Sequence, residues 1–482
     1  MNDFAPPHWS AQHNWARLDR AAPPKRSAVE RIADFMEIYA NFDEATAREE
    51  ASRCIQCPNP TCVQGCPLGN RIPEWLALTA EGHFLEAAAL SRTTSNMPEL
   101  CSRVCPQERL CEGSCILNGP GEPVAIGAIE RFINEYAFLH DDTPVVAAEP
   151  NGHRVAVIGA GPGGLACADE LAKLGYAVTV FESELVPGGL LVNGIPSFKL
   201  EKHLVMRRVE VLKQRGVRFL LGVRVGWTYS LAHLQHDFEA IFLGVGAQQA
   251  KPLDVPGANL LGVAQGLPFL IEKNLHLPFN HASIDVLDKR VAVLGGGDTA
   301  MDCLRSAVRA GASEAVCLYR RDFANMPGSR KEYANALEEG ARFEFLVNPI
   351  EVMGDTEGRV SAVRCVRMEL GAPDASGRRK PRPVPSSEFT LPVDVVLVAY
   401  GFDPVPFPAG SDFAQLHFHD WGGIVVYANQ MTSLPGVFAG GDSVRGPSLV
   451  VHAVRDARRA AVAIDRYISA KSAATEPLPA SA

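Results

Sequence analysis

The chain has 482 residues, 47% apolar and 21% charged, which is the make-up of a soluble globular protein with room for about three domains. Its net charge of −9 comes without any lysine- or arginine-rich tract, so the basic footprint of a nucleic-acid binder is absent. No apolar run approaches the roughly 18 residues of a membrane span, and no membrane partner is expected.

Met1 to Trp9 lacks the basic-then-apolar layout of an export signal. Twelve cysteines without such a signal point to the reducing cytoplasm, where clustered thiols are more often metal ligands than disulfides. Residues 1 to 45 begin polar and then place Ile32, Phe35, Met36 and Tyr39 at helix spacing, which predicts a helix there. Positions 72–90 and 124–139 share that periodicity and flank loops that hold eight cysteines. These run Cys54-x2-Cys57-x4-Cys62-x3-Cys66 and Cys101-x3-Cys105-x5-Cys111-x3-Cys115. That is thiolate enough for two 4Fe–4S clusters without a histidine. The spacings fit a four-cysteine zinc site poorly, while Cys66-Pro67 and Cys105-Pro106 match the cysteine–proline ends of ferredoxin runs. Residues 1–150 therefore read as a mostly helical iron–sulfur domain, closed by a polar, turn-rich linker at 141–152.

Beyond the linker, strands and helices alternate, which implies parallel sheets covered on both faces and an α/β fold class. A strand at 155–158 runs into Gly159-Ala-Gly161-Pro-Gly163-Gly164 and a helix, and the next strand ends at Glu182. Gly159 permits the tight turn, Gly161 lets a pyrophosphate approach the backbone, and Gly164 lets helix and strand pack closely. An acid at 182 suits an unphosphorylated ribose, hence FAD or NAD. Near the C-terminus a strand runs into Gly440-Gly441-Asp442 and a helix expected over 448–468. This second element favours FAD, because Gly441 and Asp442 return to close over the flavin's ribityl chain and phosphate. Gly189, in the cysteine-free stretch after the first motif, is grouped with the FAD residues.

A second strand–turn–helix unit follows about 136 residues later, as Gly295-Gly296-Gly297-Asp298-Thr299-Ala300. Its second strand leads into Arg320-Arg321, whose guanidinium forks suit a 2′-phosphate, hence NADPH. Two Rossmann-like domains are thus expected: FAD over 151–285 with a return at 413–482, and NADPH over 286–412. Crossings between them fall at 241–247 and 397–404. Cys167, Cys303, Cys317 and Cys365 stand alone on apolar elements and read as buried structural thiols. With no dithiol relay, the N-terminal cysteines must be the electron exit.

At these residues the chain resembles the small subunit of NADPH-dependent glutamate synthases over essentially its whole length. The stretches that carry the resemblance are Cys101-Ser-Arg-Val-Cys105-Pro-Gln-Glu-Arg-Leu-Cys111-Glu-Gly-Ser-Cys115, Gly127-Ala-Ile-Glu130-Arg-Phe, Gly194-Ile-Pro-Ser-Phe-Lys-Leu-Glu-Lys202 and Leu294-Gly-Gly-Gly-Asp-Thr-Ala-Met-Asp-Cys303, with Tyr319-Arg-Arg-Asp and Asn325-Met-Pro-Gly-Ser-Arg330. The resemblance implies that NADPH reduces FAD and that two 4Fe–4S clusters carry electrons to a large subunit. That partner would hold FMN and a glutaminase site and make two L-glutamate from L-glutamine and 2-oxoglutarate. This chain has no glutaminase nucleophile of its own and would be the NADPH-oxidising half. The resemblance also implies crossed ligand sets. One cluster would take Cys54, Cys57, Cys62 and Cys115, and the other Cys66, Cys105, Cys111 and either Cys101 or Glu130. The same module serving another acceptor, of the ferredoxin-linked transhydrogenase or pyrimidine-reductase type, is the alternative. No acid–base residue is expected, since hydride transfer is the cofactors' chemistry.

Overall fold

A computed structural model describes residues 14–141, 145–275, 283–373, 379–408 and 410–475. Residues 142–144 of the expected linker and the opening Met1 to Trp9 lie outside these.

The N-terminal unit packs helices Glu44–Ser52, Ile72–Glu81, Phe84–Thr94 and Ile126–His140 around Trp75, Ile129 and Ile133, all but unexposed. Gly82, at φ 91°, ends one helix and splits the periodic stretch 72–90 in two. The helix expected through Tyr39 stops at Ile32. It is the five-residue Ala28–Ile32, opened by a Ser27–Glu30 capping box. Past it Asp34 takes both forks of Arg26 at 2.8 and 2.6 Å and also accepts from the Met36 amide, which turns the chain away. The apolar residues at 35–39 belong instead to an extended strap. Within it Ile38 is buried and its amide donates to the carbonyl of Phe198 at 3.2 Å.

Five parallel strands form the first sheet, in the spatial order Val437–Ala439, Ala240–Leu243, Arg154–Ile158, Ala177–Glu182, Arg218–Leu221. The inner strands are buried along nearly their whole length because helices cover both faces. Pairing of Val437 with Ile241 brings the C-terminal part of the chain back onto this sheet. The helix that follows is Val450–Thr475, longer than the expected 448–468. A second parallel sheet orders Val263–Gln265, Val395–Val398, Arg290–Leu294, Glu314–Tyr319, Arg342–Phe345. The α/β architecture behind a helical unit is therefore the expected one. Unforeseen is a three-stranded antiparallel sheet, Val347–Gly354, Val360–Pro373 and Arg379–Pro392, packed on the second domain. At the crossings Gln249–Ala250 pairs with Phe402–Asp403 as a short antiparallel ribbon between the two domains.

Candidate functional site

Folding sorts the N-terminal cysteines into two groups. Cys54, Cys57, Cys62 and Cys115 surround one apolar cavity with Pro60, Leu76 and Val124. Cys66, Cys101, Cys105, Cys111 and Glu130 surround another with Asn70, Trp75 and Val451. Each group joins cysteines from both runs, because the 105–115 loop lies across the 54–66 loop, tied by the Thr61 hydroxyl donating to the Ser114 carbonyl. All eight thiols are free. Burial pushes Cys54 and Cys62 up to about 12 and Cys66 up to about 11, and drives Cys111 well above the ordinary thiol range. Packing several such thiols around one cavity makes sense if a metal centre takes them as thiolates. Among the described residues no three His, Cys, Asp or Glu close on a single-ion site. A zinc ion would draw four sulfurs to within about 2.3 Å of itself. Four thiols around one cavity, and four thiols with a carboxylate around the other, are a donor set that fits iron–sulfur clusters. Glu130 faces the second cage with its Oε1 accepting from Asn70 at 2.7 Å, and burial raises its carboxyl to about 8.

The expected FAD residues Gly159, Gly161, Gly163, Glu182, Gly189, Gly441 and Asp442 line one cleft of about 360 Å³ in the first domain. Gly164 lies just behind it; a Cβ there would stand 1.8 Å from the Gly159 carbonyl oxygen. At Gly161 a Cβ would meet nothing within 4 Å, so the backbone stands open to the cleft at the helix N-terminus. Glu182 is buried, and its Oε2 accepts from the Ala160 amide at 2.7 Å, which ties the strand end to the glycine turn. Burial raises the Asp442 carboxyl to about 7, while the Ser448 amide donates to it at 3.1 Å. A dinucleotide fits this lining.

In the second domain Gly297 caps the helix Asp298–Arg309, which carries Thr299 and Ala300 in its first turn. Asp298 accepts from the Ser329 amide at 2.9 Å. Leu294 pairs with Leu318 as Ile158 pairs with Phe181, so Tyr319 occupies the position equivalent to Glu182. The arginines follow one and two residues later and part company: Arg320 is exposed and Arg321 is buried, with its Nε unpartnered.

Sequence reasoning missed several lining residues. Arg224 stacks over Trp227 at 4.1 Å, and both line the cleft of the first domain with Phe407. Lys199 and Asp302 pair at 2.9 Å across the domain junction, where Gly194 and Thr299 share a second cleft with Cys105 and Pro106. Lys199 and Asp302 meet only through the fold, and the Arg224–Trp227 pair, three residues apart, carries no motif that marks it. Cys167, Cys303, Cys317 and Cys365 are all completely buried.

Residues 31–141 match the model of the family described as dihydropyrimidine dehydrogenase domain II, 4Fe-4S cluster. Residues 153–457 match that of the pyridine nucleotide-disulphide oxidoreductases. The chain is 45% identical over 463 residues to the NADPH glutamate synthase small chain of Azospirillum brasilense, covering 94% of this chain and 95% of that one. It is 44% identical over 479 residues to the corresponding small chain of Escherichia coli strain K12, covering 94% and 98%. A solved structure of FprA from Mycobacterium tuberculosis superposes with a TM-score of 0.59 at 21% identity, covering 69% of this chain and 87% of that one. That likeness is one of fold.

Proposed function

The chain belongs to the family of NADPH glutamate synthase small chains and is an NADPH-dependent oxidoreductase, and from that premise we propose that it is the electron-input half of a two-subunit glutamate synthase. Bound FAD would supply hydride acceptance from NADPH, and two 4Fe–4S clusters would supply one-electron carriage.

Gly159, Gly161, Gly163, Gly164, Gly189 and Gly441 would hold FAD, with Glu182 and Asp442 accepting from its hydroxyls. Gly295, Gly297, Asp298, Thr299 and Ala300 would hold the NADPH pyrophosphate, with Arg320 on the 2′-phosphate. Cys54, Cys57, Cys62 and Cys115 would ligate one cluster. For the other, Cys66, Cys105 and Cys111 would be joined by Glu130. Glu130 lines that cage, and Asn70 holds its carboxylate there at 2.7 Å. The domains would be 1–150, 151–285 with 413–482, and 286–412.

The observation that carries the reading is a shared helix. Val450–Thr475 lines the FAD cleft with Val450 and Ala453 and lines the second cage with Val451. The first cage borders Ile116, which is 53% exposed, and faces outward. It is the cage suited to serve a partner: a large subunit with FMN and a glutaminase site, making two L-glutamate from L-glutamine and 2-oxoglutarate. Among the described residues no helix is long and apolar enough to cross a membrane, and we place the complex in the cytoplasm.

The test is an anaerobic pull-down of this chain from its own cells. A much larger flavoprotein whose eluate makes glutamate from glutamine, 2-oxoglutarate and NADPH is the expected result. A different partner with no glutamate formed would reassign the acceptor to the transhydrogenase or pyrimidine-reductase type.

A further inference from the structure

The edge strand Arg218–Leu221 of the first sheet runs out beside Glu182. Its continuation is tied to that strand end by backbone hydrogen bonds. The Gly222 amide donates to the Glu184 carbonyl at 3.1 Å, and the Val223 amide donates to the Glu182 carbonyl at 2.8 Å. The chain then turns sharply. Gly226 takes φ 90°, which a side chain would oppose, and the Trp227 amide donates to the Arg224 carbonyl at 3.1 Å. Closing that turn brings its first and fourth side chains together, and the Arg224 guanidinium rests over the Trp227 ring at 4.1 Å.

Both side chains line the cleft of the first domain together with Glu182, Gly159 and Gly161. Phe407 lines it too and borders the same turn, since a Cβ on Gly226 would come within 3.4 Å of its ring. Neither member of the stacked pair is committed elsewhere. Among the described residues the Arg224 guanidinium makes no hydrogen bond and no ion pair. Trp227 is 51% exposed. An arginine laid flat on an open indole, inside a cleft and free of any carboxylate, forms a ready stacking surface for a planar ring.

The dinucleotide reading supplies such a ring. Glu182 is the acid suited to the hydroxyls of the adenosine ribose, and the base is bonded to that same ribose. Since Val223 is tied to Glu182, a base on that ribose lies at the segment 223–227. Stacking suits it, because adenine is flat and uncharged and offers its π-face whatever its edges meet.

We propose that Arg224 and Trp227 form a stacking platform for the adenine ring of FAD. The assignment rests on the FAD reading above and extends it to two residues outside the glycine motifs. It gives the cleft a contact that recognises the adenosine half of the cofactor rather than the flavin half.

The experiment compares FAD and FMN binding to the full, iron-loaded chain in the wild type, Trp227→Ala, Trp227→Phe and Arg224→Met. Dissociation is followed anaerobically by the fluorescence of released flavin. Loss of one base–aromatic contact should weaken FAD by about tenfold in Trp227→Ala, and Trp227→Phe should restore most of it. Arg224→Met should weaken FAD by about threefold, the share of an exposed cation on a ring. FMN, which has no adenosine half, should bind all four proteins alike. FAD affinity in Trp227→Ala within twofold of wild type would overturn the assignment while leaving the FAD reading intact. Equal weakening of FAD and FMN would overturn it as well, since a general loss of structure does not distinguish the two. A wild type that holds no FAD would remove that reading and the assignment with it.

Discussion

Glu130 and Cys101 face the same cage and cannot both complete it. Cys101 packs with Met97 and Leu100 in the apolar cluster shared with the FAD domain. Glu130 is held by Asn70, itself fixed by Trp75 Nε1 at 3.2 Å and the Thr94 hydroxyl at 3.0 Å. Preorganisation of that kind orients a ligand and tunes the centre. We therefore expect Glu130→Ala to lose about half of the chain's iron, the share of one cluster in two, and Cys101→Ser to keep all of it. Iron analysis with low-temperature EPR checks both, and the opposite pattern would make Cys101 the ligand. The split arginine pair gives a second residue-scale prediction. Arg320→Ala should weaken NADPH by about tenfold relative to NADH, since one fork-to-phosphate contact goes. Arg321→Ala should act on both nucleotides alike, because Arg321 is buried. Inhibition by 2′-AMP against 5′-AMP, measured on each variant, would show whether Arg320 reads the phosphate.

Among the elements, the helix Val450–Thr475 does most to join the sites. Its Asp456, fully buried, accepts from the Gly441 amide at 3.2 Å and takes both forks of Arg445 at 2.7 and 2.6 Å. This fixes the turn that presents Asp442. Asp456→Ala leaves Arg445 half-buried and unpaired, which should cost about 2 kcal/mol. Flavin should be lost on gel filtration before the fold is, and retention of full flavin with unchanged urea stability would refute the role. The strap shows where element-scale reading of the sequence fails. Ile32, Phe35, Met36 and Tyr39 have helical spacing, yet Arg26–Asp34 and the pull of tertiary partners end the helix at Ile32. The antiparallel sheet at 347–392 was likewise illegible, its long edge strand Arg379–Pro392 being proline-rich and mostly exposed.

Taken as a whole, the molecule is bound together by buried charge. Arg31, 1% exposed, pairs with Glu338 at 2.7 Å and Glu339 at 2.9 Å. Glu339 also meets Arg305 and Arg309, both at 2.7 Å. Arg305 meets Glu332, near which Lys199 reaches from the FAD domain at 3.8 Å. The helix Ala28–Ile32 and both α/β domains thus share one network. Burial pushes the Glu332 carboxyl up, but Arg305, Lys199 and Lys331 outweigh it and hold the group at about 2. A carboxyl lowered in the folded state stabilises fully above its unfolded value near 4.5 and less as pH falls toward 2. Stability to urea should therefore decline between pH 4.5 and 2, and Glu332→Gln should flatten that decline.

The sequence by itself determined what is local: the cysteine runs, both strand–glycine–helix turns and the acid at Glu182, because each turn's chemistry lies within a few consecutive residues. It also reached the fold class and the family, since those motifs recur in fixed order along the chain. Only tertiary structure decided which cysteines share a cage, because each cage draws from two runs some fifty residues apart. The same holds for the single helix beside flavin cleft and cage and for the separation of Arg320 from Arg321. Those relations arise between surfaces that meet only after folding, and burial and charge pairing settle them by the sum of all neighbours rather than by spacing along the chain.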